Sequence, residues 1–170
     1  MANTFTLIEA KTLASSTASV TFSSIPQTYT DLKMLVSVRT DRSGQDNDAL
    51  YISINSNTSN LNSKLVEGIG SGAPSSYSAS GTIKIFPTVG STATANTFGN
   101  GEIYFPNYTI SQYKSFIGDG VSENNATQAI AGFSANLWSD NAAITSLTFT
   151  SIGTNFVQYS TFYLYGIKKN

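Results

Sequence analysis

The chain has 170 residues, a formal net charge of −1 and only 11% charged residues, less than half the roughly 25% of an ordinary soluble domain. Serine (25), threonine (21) and asparagine (15) take the place of the missing charge. Cysteine and histidine are both absent, which excludes disulfides, Cys/His zinc sites, thiol nucleophiles and Ser-His-Asp triads, and nine Lys plus Arg are too few for a nucleic-acid binder held by phosphate contacts.

Short runs of period-two alternation dominate, each bounded by Gly, Ser, Asn, Pro or Asp, the pattern of strands separated by turns. Residues 4–9 alternate Phe5 and Leu7 with threonine, and residues 19–23 put Val20 and Phe22 on one face. Residues 31–40 are the clearest strand: Leu32, Met34, Val36 and Val38 share one face, and Lys33, Leu35, Ser37 and Arg39 the other. An expected hairpin tip at 42–48 leads into 49–55, where Leu50, Ile52 and Ile54 turn inward. Residues 60–68 have room for one short turn of helix, and 68–80 read as a small-residue loop. A strand at 82–86 precedes a second loop at 88–96. Gly99-Asn100-Gly101 reads as a tight turn, because Gly and Asn tolerate positive φ. Strands follow at 102–105 and 114–117, breaks at Gly118-Asp119-Gly120 and Glu123-Asn124-Asn125, then strands at 128–138, 144–152 and 161–167.

Spacings near ten residues predict one all-β domain over 1–170, a jelly-roll-like two-sheet antiparallel sandwich of eight to ten strands. Alternation places Phe5, Phe22, Phe133, Phe149 and Phe162 in its core. No run of about 18 apolar residues exists, so no membrane span is expected. The first residues lack a basic region followed by an apolar stretch, so no secretory signal is expected either.

Few constellations carry chemistry. Asp46 and Asp48, with Asp41 nearby, are the one acidic cluster and a weak calcium candidate; they lack the spaced ligand frame and distal Glu of a calcium loop, and a solvated tip is expected. Glu102 and Glu123 are the candidate acid and base for glycoside hydrolysis, although Glu123 in its polar loop suits capping of backbone amides. Trp138 with Tyr159, Tyr163 and Tyr165 offers an aromatic platform for a sugar ring, against which stands burial in the core or a subunit contact. Tyr163 and Tyr165 share one face of the last strand, and a strand apolar on both sides is central or covered by a partner. Arg39 and Arg42 are expected to pair with the acidic tip, and Lys168-Lys169 to form a solvated tail. Gly68-x-Gly70-x-Gly72 lacks the helix and lysine of a phosphate cradle. No catalytic residue and no cofactor is assigned.

The segment Ala18-Ser19-Val20-Thr21-Phe22-Ser23-Ser24-Ile25-Pro26-Gln27-Thr28-Tyr29-Thr30-Asp31-Leu32 resembles a recurrent stretch in small virion proteins of tailed bacteriophages, marine and cyanobacterial ones in particular. The opening Met1-Ala2-Asn3-Thr4-Phe5-Thr6-Leu7-Ile8, the inner Glu102-Ile103-Tyr104-Phe105-Pro106-Asn107-Tyr108 and Glu123-Asn124-Asn125-Ala126-Thr127, and the closing Phe162-Tyr163-Leu164-Tyr165-Gly166-Ile167-Lys168 are similar to theirs. The resemblance implies a compact sandwich in a phage particle and transfers no catalytic residue. The expected function is a non-enzymatic decoration, or cement, protein, synthesised in the host cytoplasm and bound outside the phage head. Its expected partners are the major capsid protein and further copies of itself, a trimer by analogy with three-fold shell positions, with no nucleic acid or membrane. Thr4, Phe5, Thr6, Leu7 and Ile8 are candidate contacts, as a strand added to a neighbour's sheet edge, and Tyr163 and Tyr165 are candidate subunit contacts. The alternative is a tail or fibre module that recognises host glycans through Trp138 and the 68–80 loop.

Overall fold

The computed structural model describes residues 4–168; the Met1-Ala2-Asn3 part of the opening segment and the Lys169-Asn170 part of the expected tail lie outside them. Among the described residues there are twelve strands and no helix. In chain order they are β1 (Phe5–Thr12), β2 (Ser19–Phe22), β3 (Asp31–Val38), β4 (Asn47–Ile54), β5 (Leu61–Ile69), β6 (Ser75–Ser80), β7 (Ile83–Val89), β8 (Gly99–Phe105), β9 (Lys114–Glu123), β10 (Ala129–Trp138), β11 (Leu147–Thr150) and β12 (Thr161–Ile167).

Eight strands form one antiparallel sheet in the order β1-β12-β3-β8-β9-β10-β5-β6, and four form a second in the order β2-β11-β4-β7. Without β5–β6 and β9–β10, the remaining strands have the orders β1-β12-β3-β8 and β2-β11-β4-β7. That is the nested double Greek key of a jelly roll. The two extra hairpins come from different loops of this jelly roll and meet in the β10–β5 ladder, extending one sheet far beyond the other.

Alternation does what it should in the jelly-roll strands. Val20, Phe22, Leu50, Ile52, Ile54, Leu147 and Phe149 of the small sheet face Leu32, Met34, Val36, Val38, Ile103, Phe105, Phe162 and Leu164 of the large one, all buried. Aromatic rings knit this core: Phe149 lies 5.8 Å from Phe162, Phe162 lies 5.2 Å edge-on from Phe156, and Phe105 stacks on Phe116 at 4.9 Å. Such pairs add about 0.5–1.5 kcal/mol each beyond their buried area.

The extension packs differently. A bulge in the β4–β7 ladder steps from Leu50–Phe86 to Tyr51–Lys84, so Ile85 and Phe86 both point inward, as an extra bulge residue allows. Beneath them the large sheet carries Gly101, Gly120 and Gly132 side by side on β8, β9 and β10. A Cβ on Gly101 or Gly120 would sit 2.4 Å from the Phe86 ring, one on Gly118 2.2 Å from Ile85, and one on Gly132 2.5 Å from Pro87. The Phe86 ring therefore lies directly on peptide backbone.

This packing corrects several expectations. Gly99-Asn100-Gly101 and Gly118-Asp119-Gly120 are strand interior, not turns; their glycines are there for close approach. Residues 60–68 are strand β5 rather than a helical turn, and β6 lies within the expected 68–80 loop. The 42–48 segment is not a hairpin tip: β3 and β4 belong to different sheets, so it arches between them. Twelve strands exceed the eight to ten expected because of the two hairpins. Phe22, Phe149 and Phe162 are buried, but Phe5 is 54% and Phe133 48% exposed.

Candidate functional site

The two outer faces of the sandwich are chemically unlike. On the small sheet, Ser19, Thr21, Ser53, Thr148 and Thr150 face outward in paired register, and the Thr21 and Thr148 hydroxyls bond to each other at 2.9 Å. On the large sheet, the extension strands invert the usual polarity. β10 points Gly132, Ser134 and Asn136 inward, where Ser134 and Asn136 bond to each other (2.9 Å) and to the carbonyls of Gly118 and Phe116 (both 3.3 Å). Its outward positions carry Phe133 and Leu137; the neighbouring strands add Ile117 and Val121 of β9 and Val66 of β5, all exposed. At the opposite edge Phe5 and Leu7 of β1 are exposed, opposite Ile167 and Tyr165 of β12. Two exposed apolar patches on one sheet face, separated by charged and polar positions such as Lys33, Glu102 and Asn100, mark candidate interaction surfaces.

Register orders this face into rows. Leu35, Glu102, Asp119, Phe133 and Val66 form one; Lys33, Tyr104, Ile117, Ala135 and Lys64 form the next. Lys33 Nζ pairs with Glu102 at 2.8 Å. Asp119 sits between Glu102 and Phe133; partial burial and the Glu102 carboxylate raise its pKa, which Lys33 partly offsets. A raised folded-state pKa means that the native state holds this proton more tightly than the unfolded chain. Stability then falls as pH climbs from the unfolded value, about 3.9, through the folded one. Asp119→Asn is expected to remove that slope and to stabilise the fold at neutral pH by a few tenths of a kcal/mol. Melting temperatures of both proteins across this pH range, in dilute solution, check it.

The other candidate residues are dispersed. Asp48 is buried: its oxygens accept from Ala49 N–H (2.8 Å) and Thr154 Oγ1 (3.0 Å) and lie 3.5 Å from Arg42. Asp46 accepts from Asn47 Nδ2 at 3.0 Å, while Asp41 holds Asn155. Among the described residues no three acids gather as metal ligands would; these acids brace the arch instead of forming a solvated tip. Arg39 does not join them. Its guanidinium donates to the carbonyls of Ser91, Ala93, Thr94 and Thr97 at 2.7–3.2 Å.

Glu123 secures the same 91–97 loop, accepting from Thr94 N–H (3.1 Å) and from the hydroxyls of Thr94 (2.9 Å) and Thr97 (2.5 Å). It therefore caps a loop, four residues along β9 from the Asp119 that faces Glu102. Trp138 is 2% exposed and belongs to the core, at an inward β10 position, so it offers no sugar platform; Tyr163 and Tyr165 lie on β12, on the far side of β3, β8 and β9. Those tyrosines are half-buried on the outer face. Thr4 to Ile8 are no free arm: β1 pairs with β12, with a bulge between Leu7 and Glu9, and leaves one strand edge open.

Sequence reasoning missed the apolar patch on β5, β9 and β10. The glycines opposite it were the available signal, since strands with Gly and Ser on one face and Phe, Val and Ile on the other can bury either. No known family model and no curated protein matches the chain.

Proposed function

We infer that the chain is a non-enzymatic structural protein of a tailed-phage particle, a decoration protein on the outside of the head whose partner is the major capsid protein. The observation that carries this reading is the large sheet's outer face, which spends Phe5, Leu7, Ile117, Val121 and Phe133 on solvent, while Asp41, Asp48 and Glu123 are tied up separately in loops. A jelly roll by itself is compatible with capsid and lectin roles alike; the resemblance to phage virion proteins supports the first, and the burial of Trp138 weakens the second.

Binding the assembled shell but not its free subunits stabilises the shell by mass action. The contact runs along β1, through Thr4, Phe5, Thr6, Leu7 and Ile8, with Tyr163 and Tyr165 beside it. Several copies joined together would attach with raised avidity on a symmetric shell.

Gold-labelled antibody viewed on phage particles tests the location. Gold spread over the head supports the reading; gold confined to the tail, or on no particle, overturns it. The contact is tested with Phe5→Ser/Leu7→Ser, which removes two exposed side chains. At about 1 kcal/mol or more for each lost anchor, shell affinity is expected to fall by at least about tenfold with an unchanged melting temperature. Wild-type affinity would exclude β1.

A further inference from the structure

The apolar patch on β5, β9 and β10, with the polar outward positions of β8 and β6 that border it, carries a second message in its charges. Several charged groups of the large outer face are already matched: Lys33 with Glu102 (2.8 Å) and Asp31 with the Tyr104 hydroxyl (2.8 Å). Two are not. Among the described residues neither Asp119 nor Lys64 makes an ion pair; Lys64 reaches only the Ser78 hydroxyl, at 3.4 Å. They flank β10 symmetrically, Asp119 across from Phe133 on β9 and Lys64 across from Ala135 on β5. From strand spacing and rise they lie about 12 Å apart.

The geometry points to a second copy of this chain as the occupant of this patch, packed face to face about a two-fold axis that passes between Phe133 and Ala135. That axis exchanges the two charged positions. Asp119 of each copy meets Lys64 of the other, twice over, and Phe133 of each copy lies against Val66 of the other. Self-complementarity of this kind is what an isologous interface requires. The strands of the two copies cross steeply, near the orthogonal class of sheet packing. Five strands at about 4.8 Å and four rows at about 7 Å give a patch on the order of 600 Å² per copy. Doubled, it reaches the lower end of specific interfaces.

Pairing of this kind closes at a dimer, which sets it apart from the three-fold assembly expected from shell symmetry. It also leaves β1 and the β12 tyrosines uncovered, so it stands whether or not the chain binds a capsid.

Sedimentation velocity of the full chain, with Lys64→Glu, Asp119→Lys and the double exchange, tests it. The wild type is expected to dimerise at micromolar concentration. Each single exchange places like charges opposite each other and is expected to weaken the dimer at least about tenfold; the double exchange restores the attraction and is expected to recover most of the loss. Phe133→Ser, at a position already exposed, is expected to abolish the dimer without lowering the melting temperature. A wild type that remains monomeric up to about a hundred times that concentration overturns the proposal. So does self-association that ignores the single exchanges, or one that the double exchange fails to recover.

Discussion

Gly120→Ala is expected to cost about 3 kcal/mol of folding stability, at the upper end of ordinary overpacking. One added methyl is a small change, but its Cβ would stand 2.4 Å from Phe86 Cδ2 and 2.6 Å from Cγ. The ring cannot retreat. Phe86 is fully buried, its neighbours Ile85 and Pro87 rest on Gly118 and Gly132, and Gly101 lies under its far edge. Relief would have to come from separating the two sheets, which loosens contacts throughout the extension. Equilibrium denaturation in urea measures the loss. Gly68→Ala is the control: nothing lies within 4 Å of its added Cβ, so its effect is expected within about 0.5 kcal/mol. Phe86→Leu opens room at the same spot while leaving a gap of its own. Combined with Gly120→Ala it is expected to be less damaging than the sum of the two, by at least about 0.5 kcal/mol. Strict additivity would show that the ring and the glycine do not bear on each other.

Lys84→Met is expected to cost about 2–3 kcal/mol, through the charge it strands. Glu67 of β5 is buried with 8% of its side chain exposed, and Lys84 of β7 pairs with it at 2.7 Å. The Tyr77 hydroxyl of β6 donates to the other Glu67 oxygen, and Lys84 Nζ lies 3.2 Å from that hydroxyl. Burial first, and then the bond to Glu67, raise the Tyr77 pKa, so the phenol remains a donor at neutral pH. These three side chains clip the far end of the large sheet to β7 of the small one. Removing one partner of a fully buried pair costs about 3–5 kcal/mol; the smaller figure here reflects the 20% of the Lys84 side chain that stays in water. Glu67→Gln keeps an acceptor for Tyr77 without the charge. Lys84→Met/Glu67→Gln is therefore expected to be more stable than Lys84→Met alone, and calorimetric melting of the pair decides it.

Much of the jelly roll was legible in the sequence. In β2, β3, β4 and β12 aliphatic or phenylalanine side chains recur at every second position, with Leu35, Ile167 and tyrosines among the otherwise polar residues between them, and the face so marked is the buried one. Alternation reports which residues share a face; it does not report which face is inside. In β9 and β10 both faces hold hydrophobic residues, and the tie was broken by Phe86, a residue of another strand in another sheet. That is why Phe133 went to the wrong side and why glycines chosen for a close approach read as turns. β5 hid for a related reason, since its inward set includes Ser63 and Glu67, and the partner that makes Glu67 tolerable lies seventeen residues further on. The candidate surface was illegible for a related cause: Phe5 and Phe133, its two phenylalanines, were expected to face the core.

The order of the large sheet has a consequence for how the chain is made. β5–β6 reaches the rest of the sheet only through β10, yet it emerges from the ribosome first. Trp138, which closes the β10–β5 ladder opposite Leu61, arrives about sixty residues after β6, a delay of roughly 3–12 s at ordinary synthesis rates. Through that interval a hairpin with one bare flank must wait for its dock. The few charges it holds, Lys64 and Glu67, are its only guard against pairing with a neighbouring nascent chain, since strand edges without charge, proline or a bulge invite such partners.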